Sequence, residues 1–590
     1  MKIILLIISI IGLNIYSEGF AQALTKPITS EAKLHKLFKD EWDNRRDISE
    51  GDSDNVPDPK DHLPSVTPEY YQERLEFDKG YLNTLKSINR EELTSEDKLN
   101  YDLFEFVLNN RILNAKFRSY RIPLLSDSGF HTSYLRSAES RPFKAPKDYE
   151  NYISFLSDMA RYFDENITNM KAGMTEGFTM PGAIMDNIVP SISAHIVKTP
   201  EESVYYRPFL KMSDVLTEEE KTSLTESAKA AISGYVIPSY QGFYDFFTGP
   251  YIGNARKTVG ISDVPDGAEY YRYLVKYYTT INTTPEEVHS LGLSEVKRIR
   301  AEMEDIIEGV GFKGSFEEFL TFLRTDSQFY VTTPEQLLKE ASWISKQIDG
   351  KLPAFFNTLP RLPYGVRAVP DDIAPNYTTG RYWGASKGDG HGGYFMVNTY
   401  ALDKRPLYNL ISLALHEGMP GHHLQNAIAQ ELENVPEFRL NLYPHAFGEG
   451  WGLYSEKVGI EMGLYKTPYD HFGRLSYEMW RAGRLVVDTG MHYMGWTREQ
   501  AIELFVENSA LSIHNINTEV DRYISWPGQA LAYKMGELTF TRLREKAQDE
   551  LGYDFDIREF HDQAIGAGGL PMNILEKRID NWIRSKQIEG

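Results

Sequence analysis

The chain of 590 residues contains no cysteine. This absence excludes disulfide bonds, cysteine nucleophiles, thiolate zinc sites and cysteine-held iron–sulfur clusters. It also leaves no thiol for a lipid anchor. Any metal site in this chain must therefore be built from His, Asp or Glu side chains.

Positive charge is scarce relative to negative charge. The sequence has 63 Lys and Arg against 84 Asp and Glu, which gives a formal net charge of −21. A nucleic-acid partner requires a basic face, so we expect none. Apolar residues make up 41% and aromatic residues 13% of the chain, enough for a substantial core.

Long apolar runs are confined to the first residues. Met1–Lys2 precede IILLIISIIGLNIYS, which is short for a membrane span and is followed by Ala21-Gln22-Ala23, a pattern that signal peptidases accept. We predict cleavage after Ala23 and export to a periplasm or the medium; the alternative is an uncleaved N-terminal anchor. No later run reaches about 20 apolar residues, so we expect no stable membrane insertion.

The remaining sequence has mostly helical patterning and no repeat of fixed period, so a solenoid or propeller is not supported. Helix starts are marked by capping boxes at Thr284, Thr333 and Thr497. Although the length alone suggests about four domains, no composition break marks a boundary. We predict one domain over residues 24–590, with a mostly helical N-terminal lobe at 24–358 and a histidine-rich region at 359–590, where the candidate chemistry lies.

Two segments depart from the helical pattern. Residues 361–370 and 379–400 carry β-branched and aromatic side chains around a glycine-rich turn. Such segments are typical of strands. The sequence therefore predicts a mainly α fold with one small antiparallel β-sheet just before the histidine-rich region.

The strongest chemical signal is His416-Glu-Gly-Met-Pro-Gly-His422-His423. In HExxH, two histidines four apart bind zinc from one helix face, and the intervening Glu activates the bound water. Here the spacing differs, because His422 would lie about 240° around an undisturbed helix from His416. Pro420 must interrupt that helix, since it has no N–H and its ring clashes with the preceding turn.

Looping out two residues would bring His422 to the position of the second histidine, whereas His423 would require three. We therefore favour His422 over His423. The alternative interpretation is a helix that ends at Pro420-Gly421, with surface histidines beyond it.

A third ligand is predicted in Phe447-Gly-Glu449-Gly-Trp-Gly-Leu-Tyr-Ser-Glu456. Glu449 and Glu456 are seven residues apart and share a helix face. The glycines around Glu449 would let this helix approach another backbone closely. We expect Glu449 to be the ligand and Glu456 to bond a ligand imidazole or to be solvated. His445 is a weaker candidate ligand, or a surface histidine.

These motifs, HEGMPGHHLQ and EGWGLYSE, together with DRYISWPGQALAYKMG at 521–536, resemble a bacterial family catalogued as domain of unknown function eight-eight-five. The resemblance spans nearly all of the chain after residue 23. That family resembles the helical gluzincin peptidases, the group of angiotensin-converting enzyme and the thimet-type oligopeptidases. It implies a two-lobed helical body around a deep central cleft.

By this resemblance, His416, His422 and Glu449 hold zinc and Glu417 is the general base. A late tyrosine stabilises the oxyanion in gluzincins, which makes Tyr533 and Tyr523 candidates; either could equally be a core aromatic.

Three more residues are candidates for substrate binding. Arg522 could hold a substrate carboxylate or pair with Glu519. Tyr394 and Asn398 lie on 392–398, which resembles the edge strand that aligns extended substrates in related peptidases. The glycines at 388, 390, 392 and 393 could instead form only a flexible turn.

The sequence thus predicts an exported zinc metallopeptidase acting on a peptide substrate, and it does not determine the oligomeric state. Two alternatives remain open: a non-catalytic protein that binds peptides or other ligands on the same fold, and a zinc hydrolase acting on a non-peptide amide.

Overall fold

A computed structural model describes residues 29–48, 61–139, 141–371, 373–385 and 390–589. The predicted signal peptide at 1–23 lies outside the described residues, as does Gly388 of the glycine-rich turn. Within this part of the chain, no helix has the length and apolar character needed to cross a membrane.

The described residues form a mainly helical structure, as predicted. In the described part of the chain, twelve α-helices precede the sheet: α1 Ser30–Ile48, α2 Pro68–Lys86, α3 Ser95–Ala115, α4 Pro146–Glu176, α5 Val189–Ser193, α6 Arg207–Leu210, α7 Glu218–Ala231, α8 Ile237–Phe246, α9 Gly267–Thr279, α10 Pro285–Gly309, α11 Phe316–Thr325 and α12 Pro334–Asp349. Ten follow it: α13 Leu410–Glu417, α14 His422–Gln430, α15 Glu437–Leu440, α16 His445–Glu461, α17 Pro468–Tyr493, α18 Arg498–Asn508, α19 Ile513–Ser525, α20 Ala532–Leu551, α21 Ile557–Ile565 and α22 Met572–Glu589.

The three predicted capping boxes begin helices in the structure. The side chains of Thr284, Thr333 and Thr497 each accept a hydrogen bond from the third backbone N–H of α10, α12 and α18, respectively, and the residue there bonds back. These reciprocal bonds satisfy donors that a helix start otherwise leaves unpaired.

The sheet has three strands, β1 Tyr364–Ala368, β2 Gly380–Trp383 and β3 Gly393–Val397, in the order β1-β3-β2. β2 pairs antiparallel with β3, but β1 pairs parallel with β3 in the register Tyr364↔Gly393. The prediction of an antiparallel sheet was therefore wrong for β1. β1 and β2 do not pair with each other but lie on opposite edges of β3, and the chain from β1 returns to β3 in the same direction.

The largest buried apolar cluster contains side chains from both predicted regions, from Leu34 on α1 to Ile583 on α22. Within it, α16 and α20 cross closely at glycine. A Cβ added to Gly450 would lie 2.4 Å from Gly536 Cα. The absence of side chains at this crossing lets α16 and α20 approach each other closely.

Candidate metal centre

The helix α13 delivers His416 and Glu417 at its last two positions. Its preceding residues are apolar and mostly buried, so packing of this helix fixes where the two polar side chains emerge. His416 is 2% and Glu417 is 9% exposed. Buried polar side chains need partners, and both find them in neighbouring elements.

Pro420 breaks the helix, as predicted, but more completely than a bulge. Helix α13 ends at Glu417 and α14 begins at His422. Trp451 stabilises the break, since its indole Nε1 donates to the Pro420 carbonyl over 2.7 Å. The His423 N–H bonds the Gly418 carbonyl at 3.1 Å, which links α14 back to the end of α13.

The two adjacent histidines have different surroundings. His422 points its Nε2 toward Glu449, 3.4 Å from Oε2. His423 is fully buried, and its two ring nitrogens lie 3.1 Å from the Tyr382 hydroxyl and 2.9 Å from the Leu362 carbonyl. Since both nitrogens of His423 have partners in the sheet region, His422 is the histidine at the centre. Burial lowers the pKa of His423 to about 4, consistent with a neutral structural ring.

Helix α16 brings Glu449 and Glu456 to the same side, as their seven-residue spacing predicts. Glu449 Oε2 lies 3.5 Å from His416 Nε2, and Glu456 Oε1 lies 2.8 Å from the other ring nitrogen of His416. Gly452, between the two carboxylates, makes room for the imidazole: a Cβ there would lie 2.7 Å from His416 Cε1. Glu456 is thus a hydrogen-bond partner of His416 and is not solvated.

His416, His422 and Glu449 form one group of potential metal-binding atoms, all within 4.8 Å of one another. Burial disfavours a charged His416 ring, but hydrogen bonds to Glu449 and Glu456 outweigh it and raise the pKa of His416 to about 9. Burial would raise the pKa of Glu449, but its hydrogen bonds with His416 and His422 hold that pKa well below its usual range. Carboxylates that stabilise a positively charged imidazole would also stabilise a bound cation.

Glu417 is oriented by the sheet. Its Oε2 accepts a hydrogen bond from the Tyr382 backbone N–H at 2.7 Å. Tyr382 lies on the edge strand β2, and its hydroxyl contacts His423. One strand residue therefore positions the carboxylate at the end of α13 and the start of α14 together.

The two candidate tyrosines occupy different environments. The Tyr533 ring lies 6.4 Å from the His416 ring, centroid to centroid, and is half-buried. Tyr523 is fully buried, and its hydroxyl bonds Trp480, Arg484 and Glu519 at 2.8, 2.8 and 2.9 Å. Because the Tyr523 hydroxyl already has three hydrogen-bond partners, it is part of the buried core. Tyr533 lies beside the potential metal ligands.

Arg522 adopts the alternative predicted for it. Its Nη2 lies 3.0 Å from Glu519 Oε2, and its Nη1 donates to Gln529 over 2.9 Å. Burial of the Glu519 carboxyl opposes ionisation, but Arg522 and Arg484 lower its pKa to about 2. Arg484 also lies 4.3 Å from the Tyr533 ring centroid. The ion-pair network of Arg484, Glu519 and Arg522 therefore packs against the Tyr533 ring.

The strand that carries Tyr394 and ends just before Asn398 is not an edge strand, because β3 pairs with β1 on one side and β2 on the other. That part of the prediction was wrong. Asn398 is fully buried, and its amide bonds the carbonyls of Ala374, Tyr377 and Thr378 and the Tyr400 N–H. Tyr394 is half-buried under the Arg367 guanidinium, 4.6 Å from the ring centroid.

Two residues of the centre carried no signal in the sequence. Arg381 on β2 would have its pKa lowered by burial, but Tyr377, Tyr533, Glu417 and Glu449 raise it, which places its guanidinium among the site's acidic groups. Tyr443 is 40% exposed, but the end of its ring lies against Gly448, where a Cβ would come within 2.2 Å of the hydroxyl. Burial, Glu449 and Glu417 together raise the pKa of that phenol. Neither residue lies in a spaced motif, so only the fold reveals them.

His445 lies outside the group, with its ring 5.0 Å from the Tyr278 ring and 5.7 Å from the Tyr443 ring. A second potential metal-binding group among the described residues contains Glu31, His35 and Asp97. Its glutamate and histidine are exposed, so it lacks the buried cradle of the first group.

Two solved structures share this fold. A protein from Colwellia psychrerythraea, described as a "putative lipoprotein", is 27% identical, with a TM-score of 0.88 over 95% of this chain and 100% of that one. A "putative lipoprotein of unknown function" from Shewanella oneidensis is 16% identical, with a TM-score of 0.73 over 93% and 99% of the respective chains.

No curated protein matches this sequence. The family described as "Bacterial protein of unknown function (DUF885)" matches residues 48–579. That range includes the helix break, both carboxylates of α16 and the sheet that orients Glu417. The resemblance noted in the sequence is thereby shown at the level of this family: the chain belongs to DUF885.

Proposed function

We propose that this protein is a zinc-dependent metallopeptidase whose metal is held by His416, His422 and Glu449. The observation that carries the proposal is the spacing of their donor atoms. Tetrahedral zinc with bonds of about 2.0–2.2 Å requires neighbouring donors roughly 3.4 Å apart. Glu449 Oε2 lies 3.5 Å from His416 Nε2 and 3.4 Å from His422 Nε2, so the donor set fits zinc.

The partner of the opposite ring nitrogen supports the same assignment. Histidines that bind metal through one nitrogen usually donate the other N–H to a carboxylate. In His416, Nδ1 donates to Glu456 over 2.8 Å, which turns the Nε2 lone pair toward Glu449 and His422. Glu456 is in turn 3.6 Å from Arg481 Nη2, so a buried cation balances part of its charge.

Bound zinc would supply an activated water and polarise the substrate carbonyl. Glu417, oriented by the Tyr382 N–H, would accept the proton of that water and pass it to the leaving amine. Tyr533 is the better placed of the two candidate tyrosines to donate to the developing oxyanion, since the Tyr523 hydroxyl is already shared by three partners. Arg381 and Tyr443 add a cation and a second phenol to the same space.

Localisation is part of the proposal. We infer that the protein is exported, to a periplasm or the medium, from its N-terminal sequence and from the description of the two structural relatives as lipoproteins. A site built only from His and Glu suits an oxidising compartment, where free thiols do not persist. The gluzincin-like two-lobed cleft remains a prediction, and so does the peptide substrate.

The decisive test compares Glu417→Gln with His416→Ala. We expect purified wild type to contain about one zinc per chain by elemental analysis and to cleave members of a peptide library followed by mass spectrometry. Glu417→Gln should retain zinc and lose about 10²- to 10⁴-fold in rate, as expected for removal of a general base. His416→Ala should lose zinc as well.

The outcomes separate the alternatives. Zinc and peptide binding without cleavage would favour the non-catalytic protein, and cleavage of amides other than peptides would favour the third hypothesis. Full activity in Glu417→Gln would remove this residue from the mechanism.

A further inference from the structure

Arg381 lies at the edge of the sheet, beside the metal centre. It belongs to β2, which within the described sheet pairs with β3 on one side only. The next residue, Tyr382, donates its N–H away from β3, to Glu417 over 2.7 Å. Arg381 is therefore one residue away from the contact that orients the proposed general base.

The side chain of Arg381 is accessible from solvent. Successive side chains of a strand point to opposite faces. The Tyr382 side chain points toward α14, because its hydroxyl lies 3.1 Å from His423 Nδ1. The Arg381 side chain therefore leaves the opposite face of β2, and this residue is exposed. A molecule that enters from solvent can reach its guanidinium, whereas His416 and Glu417 are buried.

The Arg381 guanidinium faces the centre without being bonded to it. Glu417 on α13, Glu449 on α16 and Tyr533 on α20 all act on its charge, so it faces the space between these three helices. Among the described residues, its side chain forms no hydrogen bond and no ion pair. Its guanidinium carbon lies 5.9 Å from the Tyr377 ring centroid. All five N–H donors of this side chain are therefore available to a ligand.

The two carboxylates of the centre have closer partners than Arg381. Glu449 Oε2 lies 3.5 Å from His416 Nε2 and 3.4 Å from His422 Nε2. Glu417 accepts the backbone N–H from β2. In the proposed function a metal cation also balances the charge of these carboxylates. The positive charge of Arg381 then remains for an anion that enters the site.

A second arginine borders the same face of β2. Trp383 is two residues after Arg381, so the two side chains share a face. The guanidinium carbon of Arg136, from the segment before α4, lies 5.7 Å from the Trp383 ring centroid. Its acidic neighbour Glu139 is 3.9 Å away, and both side chains are about half exposed, so this ion pair is weak. Two cations thus lie along one face in a chain with a net charge of −21.

We propose that Arg381 binds a carboxylate of the substrate and thereby determines which peptides the centre accepts. This inference rests on the proposed function. It replaces the role predicted for Arg522, whose guanidinium is held by Glu519 and Gln529. A guanidinium and a carboxylate match in planar, two-pronged geometry. Because Arg381 is adjacent to the residue that orients Glu417, this carboxylate lies within about one or two residues of the scissile bond.

The test measures binding to zinc-loaded Glu417→Gln, which should hold peptides without cleaving them. The probes are the tripeptide Ala-Ala-Phe and its C-terminal amide, which differ by one negative charge. Isothermal titration calorimetry should show the acid binding at least tenfold more tightly than the amide, as expected for a hydrogen bond between charged groups. Adding Arg381→Gln should reduce this preference to less than about twofold. Arg381→Lys should restore part of it, because lysine keeps the charge without the two-pronged geometry.

Arg367→Gln is the matched control. Arg367 on β1 and Arg381 on β2 both face Met396 in the registers of the sheet, and both arginines are exposed. Arg367 lies on the far edge, 4.6 Å from the Tyr394 ring centroid, so its loss should leave the preference for the acid unchanged.

Three results would overturn the proposal: equal binding of acid and amide, no binding of the acid at about millimolar concentration, or an unchanged preference in Arg381→Gln. The last would mean that the acid binds elsewhere, for example directly to the metal. Since Arg381 is exposed and has no bonded partner among the described residues, its variants should fold, and thermal unfolding verifies this.

The amide of Ala-Ala-Glu identifies the source of the carboxylate. Binding as tight as that of the Ala-Ala-Phe acid assigns Arg381 to an acidic side chain, and binding as weak as that of the Ala-Ala-Phe amide assigns it to the peptide C-terminus. Zinc analysis and cleavage by the wild type test the proposed function separately. Cleavage without a preference for acids removes only the role of Arg381. A preference that depends on Arg381 without cleavage supports the carboxylate site and contradicts the peptidase.

Discussion

Two buried carboxylates on neighbouring helices differ in their partners. Glu456 faces the His416 imidazole and the Arg481 guanidinium. Asp488 on α17 is also fully buried, but it accepts hydrogen bonds only from the Tyr271 hydroxyl at 2.6 Å and the Gly528 N–H at 3.0 Å. Burial outweighs these bonds and raises the pKa of Asp488 to about 7.

This raised pKa predicts a loss of stability as pH rises. An unfolded Asp has a pKa near 3.8, so between about pH 4 and pH 7 the folded state binds the proton that the unfolded state releases. The free energy of unfolding should fall across this window, by about 4 kcal/mol for a shift of about three units. Asp488→Asn should remove most of that fall. The measurement is urea unfolding of both proteins at pH 4 and pH 8.

Asp305→Asn, an exposed substitution on α10, is the control for the loss of one carboxyl and should keep the wild-type slope. A wild-type slope in Asp488→Asn would contradict the assigned pKa.

Sequence reasoning succeeded at residues whose spacing encodes their geometry. Glu449 and Glu456 share a face because the helical period places residues seven apart together, and the structure shows both beside His416. Arg381 and Tyr443 reach the same site from a strand and a loop. Since long-range folding alone brings them there, no local pattern could predict them. Asn398 was predicted to bind substrate, yet its amide nitrogen donates to carbonyls of the loop at 374–378.

At the scale of elements, the centre depends on how closely α16 can pack against α13. The glycine pattern around Glu449 predicted this close packing. At Gly452 the reason is steric, because only a residue without a Cβ leaves room for the His416 ring. The sheet was harder to predict. The presence of strands could be predicted from local composition. Their order could not, because it depends on long-range pairing, and this pairing places β3 in the centre of the sheet.

Gly452→Ala should therefore weaken metal binding without unfolding the protein. The new methyl group would lie 2.7–2.8 Å from atoms of the His416 ring and displace it. We expect a 10- to 100-fold loss of zinc affinity, comparable to the loss of a residue that supports a ligand. Competition with a chromophoric chelator measures the affinity, and thermal unfolding checks that the fold is kept.

Gly80→Ala on α2 is the matched control, because a Cβ there has nothing within 4 Å. It should leave zinc affinity unchanged and stabilise the protein by about 0.5–1 kcal/mol. Wild-type zinc affinity in Gly452→Ala would show that the ring has room to move.

At the scale of the whole molecule, a buried charge network joins three long helices. Lys534 on α20 is 1% exposed and lies 2.8 Å from Glu478 on α17 and 3.1 Å from Glu295 on α10. Glu537 on α20 accepts a further bond at 2.8 Å. These carboxylates outweigh the effect of burial and raise the pKa of Lys534, so the cation stays charged inside the protein.

Lys534→Met should destabilise the whole protein, because it leaves three carboxylates together without their shared cation. Breaking a buried ion pair from one side costs about 3–5 kcal/mol, and denaturant unfolding should show a loss of this size. Lys457→Met is the control, since its side chain is 47% exposed and lies 3.8 Å from Glu537. It should cost about 1 kcal/mol or less; equal losses in the two variants would contradict the network's role.

The hydrogen bond from the Tyr382 amide to Glu417 has a practical consequence. That single proton is shielded from solvent deuterium only while the carboxylate stays in place. The hydrogen–deuterium exchange rate of this amide therefore reports on Glu417. Exchange is slower when the carboxylate is held in place and faster when the carboxylate moves away. Measured by NMR, that exchange rate would report occupancy of the centre by any ligand that moves Glu417.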